Sequence, residues 1–121
     1  MKAHRIRQGD IFWLDNCRPL HGEALKRRPV VVITPDSLLE TSPEVLTVAC
    51  TSTVFPSDTT AVELPNRERT PQARTKLTKR TWAIPAWLVP VAQELLVDYA
   101  GHVSGATMRR LLIAIAREQS K

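Results

Sequence analysis

The 121-residue chain holds only two cysteines, four glycines and one tyrosine, and aromatic residues make up 5% of it. Cys17 and Cys50 lie far apart and form neither a CxxC pair nor a Cys/His ligand spacing, which argues against a disulfide framework and against a zinc module. No window approaches the roughly 20 apolar residues that a membrane helix requires. The opening MKAHRIRQGDIF has cations but no apolar core of signal-peptide length, so a soluble, cytoplasmic protein without membrane association is expected. Also missing are a Gly-rich phosphate loop, a GxSxG elbow and an HExxH pair, while His4, His21 and His102 are scattered. A metallohydrolase or triad enzyme is therefore disfavoured, with no metal and no cofactor expected. Acids are in the minority, 12 against 17 Lys and Arg, for a formal charge of +5 and a sequence pI near 9.8. That balance suits an anionic partner such as nucleic acid, although solubility also draws on net charge.

What is present fits one domain spanning residues 1–121, with 43% hydrophobic residues to build its core. Ile11-Phe12-Trp13-Leu14-Asp15 reads as a first strand, and residues 16–28, NCRPLHGEALKRR, as a cationic surface loop broken by Pro19 and Gly22. Val30-Val31-Val32-Ile33 is a β-branched run expected as a central strand, followed by a turn at 35–37. Val45–Cys50 reads as a third strand that delivers Thr51-Ser52-Thr53 at its end, and Ala61–Leu64 as a fourth. Residues 66–80 carry Arg67, Arg69, Arg74, Lys76, Lys79 and Arg80 against Glu68 alone, and read as a basic loop or edge outside the core. Trp82–Val91 is apolar but holds Pro85 and Pro90, which excludes a regular helix and confines any strand to an edge or a bulge. From Ser104 as cap, Met108, Leu111, Leu112, Ile115 and Ala116 follow helical spacing and predict an amphipathic helix, with Ile113 off the stripe and free to face a second subunit.

Two strand ends gather groups suited to phosphate: Arg28 just before the second strand and Thr51-Ser52-Thr53 just after the third. Cleavage of RNA beside its own 2'-hydroxyl needs in-line positioning, proton handling and stabilisation of the phosphorane charge, but no external nucleophile. A guanidinium presents a planar fork to two phosphate oxygens, and a threonine hydroxyl donates from a restricted rotamer. Because an arginine pKa lies above about 12, Arg28 suits charge stabilisation better than general-base work. Glu23 and His21 are the candidate bases in the preceding loop. Arg27, Ser52, Thr53, Arg74, Lys76, Lys79 and Arg80 are candidate RNA contacts. Trp82 and Trp87 are read chiefly as core or dimer contacts, with base stacking as the other role open to them.

In order and spacing, GDIFWLD, a Gly-Glu-bearing loop, RRPVVVIT and VACTSTV resemble the MazF/PemK toxins over the first half of the chain, and Gly101-His102-Val103-Ser104 before the last helix resembles their closing element. The resemblance implies a mainly β fold with α: a small twisted SH3-like barrel with a C-terminal amphipathic helix, forming a homodimer. It implies a metal-independent endoribonuclease that cuts single-stranded mRNA to a 2',3'-cyclic phosphate and a 5'-hydroxyl and is silenced by a cognate antitoxin. Carried over by position, the catalytic residues are Arg28 and Thr51, with Glu23 as the loop glutamate. The sequence departs from the family at TWAIPAWLVPV, where many relatives have a polar strand with Gln and Ile. Two other readings stay open: a CcdB-like gyrase poison, for which the polar tail Ala116–Lys121 offers no aromatic anchor, and a nucleic-acid-binding barrel without catalysis.

Overall fold

The computed structural model describes residues 5–20, 22–53 and 60–121; His4 and His21, the second a candidate base, lie outside them. In chain order the elements are β1 (Asp10–Cys17), β2 (Lys26–Val32), α1 (Asp36–Leu39), β3 (Glu44–Thr51), β4 (Val62–Glu63), β5 (Trp82–Ala92), a 3-10 turn (Gln93–Leu95), β6 (Asp98–His102) and α2 (Gly105–Gln119). All strand pairings are antiparallel in the order β4-β5-β3-β2-β1-β6, and the sheet curls into a half-barrel closed by the C-terminal helix.

Alternation along the strands splits the core in two. Ile11, Val31, Val48 and Cys50 point to the face that α2 covers with Met108, Leu111 and Ile115. Phe12, Leu14, Val30, Val32, Val45 and Ala49 point to the other face, where Trp87, Ile84 and Leu96 pack. Because both faces are filled, β2 is apolar on both sides, as the run Val30-Val31-Val32 foretells.

Bulges give the sheet its curl. Between Leu14↔Arg28 and Cys17↔Lys26, β1 advances three residues and β2 two. The extra residue is taken up beside Asn16, whose φ of 53° is a conformation asparagine tolerates. As a result Leu14 and Cys17, which strict alternation would send to opposite faces, share one. Between Val48↔Leu88 and Cys50↔Ala83, β3 advances two residues and β5 five, and Pro85 sits in that larger irregularity. Among the described residues β4 pairs only with Trp82 and Ala83, so the far side of β5 beyond them is an edge that tolerates proline.

Three expectations need correction. Residues 35–37 do not form a simple turn: Asp36–Leu39 is a short helix that buries Leu39. The basic stretch 66–80 is not wholly outside the core, since Asn66, Thr75 and Leu77 are buried and Leu77 packs with Ile11 and Val48. Its turns are tied by Asn66, which accepts from the Arg69 N–H at 2.9 Å and donates to the Leu64 carbonyl at 2.9 Å, and by Thr75 Oγ1 donating to the Pro65 carbonyl at 2.6 Å. Cations sit at its rim because apolar and hydroxyl residues between them supply the burial. In α2, Ser104 does cap the helix, accepting from the Thr107 N–H at 3.2 Å, but Leu112 and Ala116 stay exposed and the buried stripe is Thr107, Met108, Leu111 and Ile115. One strand went unpredicted, β6, whose five residues, Asp98–His102, have only Val103 beyond them before the helix cap.

Gly101 of β6 has φ of 110°, and a Cβ there would stand 2.6 Å from Thr75 Cα and 2.8 Å from the Arg74 carbonyl oxygen. This close approach docks the basic segment on β6 through the Lys76 N–H, which donates to the Ala100 carbonyl at 2.7 Å. Gly101→Ala should therefore cost about 2 kcal/mol or more, from backbone strain and the backbone clash together, read by urea unfolding.

Glu63 pins the other end of that segment, accepting from Arg80 at 3.1 Å, from Asn66 at 3.0 Å and from Arg69 at 3.1 Å. Chiefly through the Arg80 bonds, its carboxyl is lowered from the ordinary 4.5 to about 2. A depressed carboxyl contributes stability that is present above the unfolded value and lost as pH falls through the folded one. Stability should decline as pH drops from about 4.5 toward 2, and Glu63→Gln should flatten that part of the profile in urea unfolding measured at successive pH values.

Candidate functional site

A cleft of about 230 Å³ opens where β2 begins and β3 ends. Lys26, Arg27, Arg28 and Pro29 of β2 line one wall, and Cys50, Thr51 and Ser52 line another. Trp13 of β1 and Leu77, Thr78, Lys79 and Thr81 of the basic segment complete it. Four cations and no carboxylate are among these residues. The local chemistry follows from the strands: Pro29 has no N–H, and the pairing of β2 with β3 runs only from Val30↔Ala49 to Val32↔Thr47. Beyond Val30 the ladder stops, and the two strand ends are left to form a cleft. Counting the same register back by two residues sets Arg28 against Thr51, on the face shared by Val30 and Ala49.

Arg28 is 3% exposed. Its Nη2 donates to the Ala24 carbonyl at 3.0 Å and its Nε, more weakly, to the Cys17 carbonyl at 3.4 Å, while the guanidinium lies over Trp87 at 5.1 Å from the ring centroid. Glu23 Oε1 is 4.0 Å from Nη2. A charge this deep persists only with polar and π partners around it, and here the end of β1 and the loop that follows it each turn a carbonyl onto it. Thr51 is 5% exposed, and its Oγ1 accepts from the Thr53 N–H at 3.1 Å. That bond fills an acceptor site and leaves the hydroxyl hydrogen to donate elsewhere.

The candidate contacts separate into groups. Arg27, Arg28, Thr51, Ser52 and Lys79 line the cleft; Glu23, Thr53, Arg74, Lys76 and Arg80 do not. Arg80 is committed to Glu63 and lies over Trp82 at 5.0 Å, and those bonds raise its pKa further. Lys76 Nζ stands 5.8 Å from the Tyr99 ring centroid. Arg27 is bound to Asp15 at 2.9 Å and to Asp98, and lies over Trp13 at 5.4 Å. Trp87 is core, as expected, and Trp82 is half-buried.

Sequence reasoning missed Trp13, Lys26, Thr78 and Thr81 as cleft residues and Asp98 as a partner of Arg27. The strand pattern of β1 accounts for Trp13 without pointing to a site, and the Asp98 contact spans 71 positions, beyond any local pattern. Both cysteines are free and buried, and burial pushes their thiols up, with the Arg28 charge opposing this at Cys17. Burial of this kind favours the neutral thiol, the weaker nucleophile. His102 Nδ1 sits 2.8 Å from the buried Asp10 carboxylate, away from the cleft. Among the described residues no helix is long and apolar enough to cross a membrane.

The chain resembles solved structures over nearly all of its length. An endoribonuclease from a mycobacterial species is 19% identical, with 98% of this chain and 94% of that one covered at a TM-score of 0.71. MazF from Deinococcus radiodurans is 13% identical, covering 98% and 99%, with a TM-score of 0.74. A mycobacterial endoribonuclease solved in complex with its cognate antitoxin is 19% identical, covering 95% and 93%, with a TM-score of 0.67. At such identities the likeness concerns the fold. No curated protein matches the chain by sequence. The family described as PemK-like, MazF-like toxin of type II toxin-antitoxin systems matches residues 7–118. With that match spanning almost the whole half-barrel and its closing helix, the chain belongs to the PemK/MazF-like toxin family.

Proposed function

We propose that the protein is a metal-independent endoribonuclease that cuts single-stranded RNA, mRNA among it, to a 2',3'-cyclic phosphate and a 5'-hydroxyl, halting translation until an antitoxin covers its cleft. The observation that carries this reading is a cationic cleft in which an arginine at one strand end and a threonine at the next both keep donor hydrogens for a phosphate. Arg28 uses two of its five N–H groups on the carbonyls of Cys17 and Ala24, so it can hold the loop and still has donors to offer a phosphate oxygen. Its rigidity is useful, since donors fixed before charge develops need no reorganisation at the transition state.

In the proposed step the 2'-hydroxyl loses its proton, by way of a water, to Glu23, which stands 4.0 Å from Arg28 just outside the cleft lining, and the 2'-oxygen attacks phosphorus in line. The bond from phosphorus to the 5'-oxygen breaks, and that oxygen leaves with a proton from water. Arg28 and Thr51 carry the charge on the non-bridging oxygens. Ser52 and Lys79 hold neighbouring phosphates, and Thr53 orients Thr51. Arg74, Lys76 and Arg80 contribute a diffuse positive field along the strand's path.

The antitoxin is read as an acidic segment that folds onto the same cations, by analogy with the mycobacterial relative solved with its antitoxin. A homodimer is supported by Leu112 and Ile113, exposed at 38% and 47% on one side of α2. Cytoplasmic action follows from the substrate.

Incubation of the protein with a long RNA in EDTA, followed by mapping of the new ends, tests the reading. Cleavage leaving 5'-hydroxyl ends is expected, and intact RNA at stoichiometric protein would falsify it. Arg28→Lys keeps a charge at the site but loses the fork, and should lower the cleavage rate by a hundredfold or so, about 3 kcal/mol of transition-state stabilisation. Arg28→Ala should abolish cutting and also loosen the loop at Ala24, so its melting temperature is to be measured alongside.

Thr51→Ala should lower the single-turnover rate by roughly tenfold, the loss of one hydrogen bond to a charged oxygen. Thr51→Ser, which retains the hydroxyl, should recover most of it. Equal rates for wild type and Thr51→Ala would remove Thr51 from the mechanism.

A further inference from the structure

Arg27 lines the same cleft as Arg28, yet its charge is already answered. One Nη donates to Asp15 and the other to Asp98, and the guanidinium carbon sits 5.4 Å from the centroid of the Trp13 ring beneath it. Two carboxylates around one guanidinium leave the cluster formally at −1, so a phosphate has little to gain there. What the cluster does have is a fixed plane. Its edges are held by carboxylates from β1 and β6, its central carbon stands over an indole, and the side chain is still 45% exposed. An exposed arginine without such restraints would lose rotamer freedom on binding; this one has largely lost it already.

We infer that Arg27, clamped by Asp15 and Asp98 over Trp13, is a stacking platform for an unpaired nucleobase next to the phosphate held at Arg28 and Thr51. The inference rests on the RNA reading above and assigns Arg27 to base recognition in place of phosphate binding. Guanidinium planes and aromatic faces both stack unpaired bases, and here a guanidinium stands over an indole. Arg27 and Arg28 are consecutive in β2 and point to opposite sides of it, Arg27 over Trp13 and Arg28 over Trp87, so a base on Arg27 and a phosphate at Arg28 would lie on either side of one strand end, a single residue apart. Across the cleft Thr78, Lys79 and Thr81 supply side chains that can reach a base edge. A purine, with the larger face, gains more from such a platform than a pyrimidine.

Binding to fluorescein-labelled RNA heptamers in which every 2'-hydroxyl is methylated tests this apart from catalysis, because such RNA cannot be cut by its own 2'-oxygen. A set with one abasic position each is titrated against the wild type and Arg27→Lys, which keeps the charge for Asp15 and Asp98 but has no plane. One abasic position should weaken wild-type binding about tenfold, within the range for loss of a stacked base. Arg27→Lys should weaken binding of the intact heptamer by a similar factor, and the abasic change at that position should then add almost nothing. Wild-type affinity in Arg27→Lys, or losses that simply add at every position, would overturn the platform. If no heptamer binds, the platform falls together with the RNA reading. Coupling seen here without cleavage of ordinary RNA would leave the platform standing and sink the nuclease, whereas cleavage without coupling would do the reverse.

Discussion

A permanent cation inside a protein needs partners, and the partners of Arg28 organise the end of the sheet around it. Burial of an unpaired charge costs several kcal/mol even after relaxation, and Glu23, its carboxylate partner, stands 4.0 Å off and one-third exposed. The compensation comes from elsewhere: the carbonyls of Cys17 and Ala24 and the face of Trp87. Each of these depends on a feature of the fold. Cys17 reaches its place through the β1 bulge, Ala24 through the turn of the loop, and Trp87 through the irregularity at Pro85. Holding the guanidinium still thus fixes three separate segments.

The same irregularities build the cleft. Pro29 stops the β2–β3 ladder at Val30, which leaves Arg28 and Thr51 at the rim with their own backbone partners. The segment from 66 to 80 then crosses to the cleft because Leu77 and Thr75 are worth burying and because Gly101 lets its backbone come close. Lys79 and Thr78 arrive at the cleft as a consequence of that packing.

Electrostatic roles are assigned by neighbours more than by residue type. Arg27, Arg28 and Arg80 each lie over a tryptophan, yet they face different surroundings. Arg80 is spent on Glu63 and serves the fold, while Arg27 is neutralised by Asp15 and Asp98. Arg28 has mostly neutral dipoles about it, so its field is the least cancelled of the three. A tally of cations would treat all of them as phosphate contacts, whereas their ion pairs sort them into different tasks.

Some elements are legible in the local pattern of residues: the aromatic and branched run at 11–15, the Val run of β2, β3 ending on Thr51, and the capped helix after Ser104. The sequence also brings Arg28 and Thr51 into one hypothesis, through strand-end chemistry and family resemblance. Features that depend on distant partners appear first in the folded chain. β6 has five residues and little pattern of its own, and exists because β1 pairs with it. Leu77 lies in a run of cations and is core because Gly101 admits its neighbours. Leu112 fits the helical period yet stays exposed, since the sheet covers a narrower stripe than the period allows. Local periodicity reports which way a side chain points, but whether anything meets it there is settled by contacts between residues far apart in the chain.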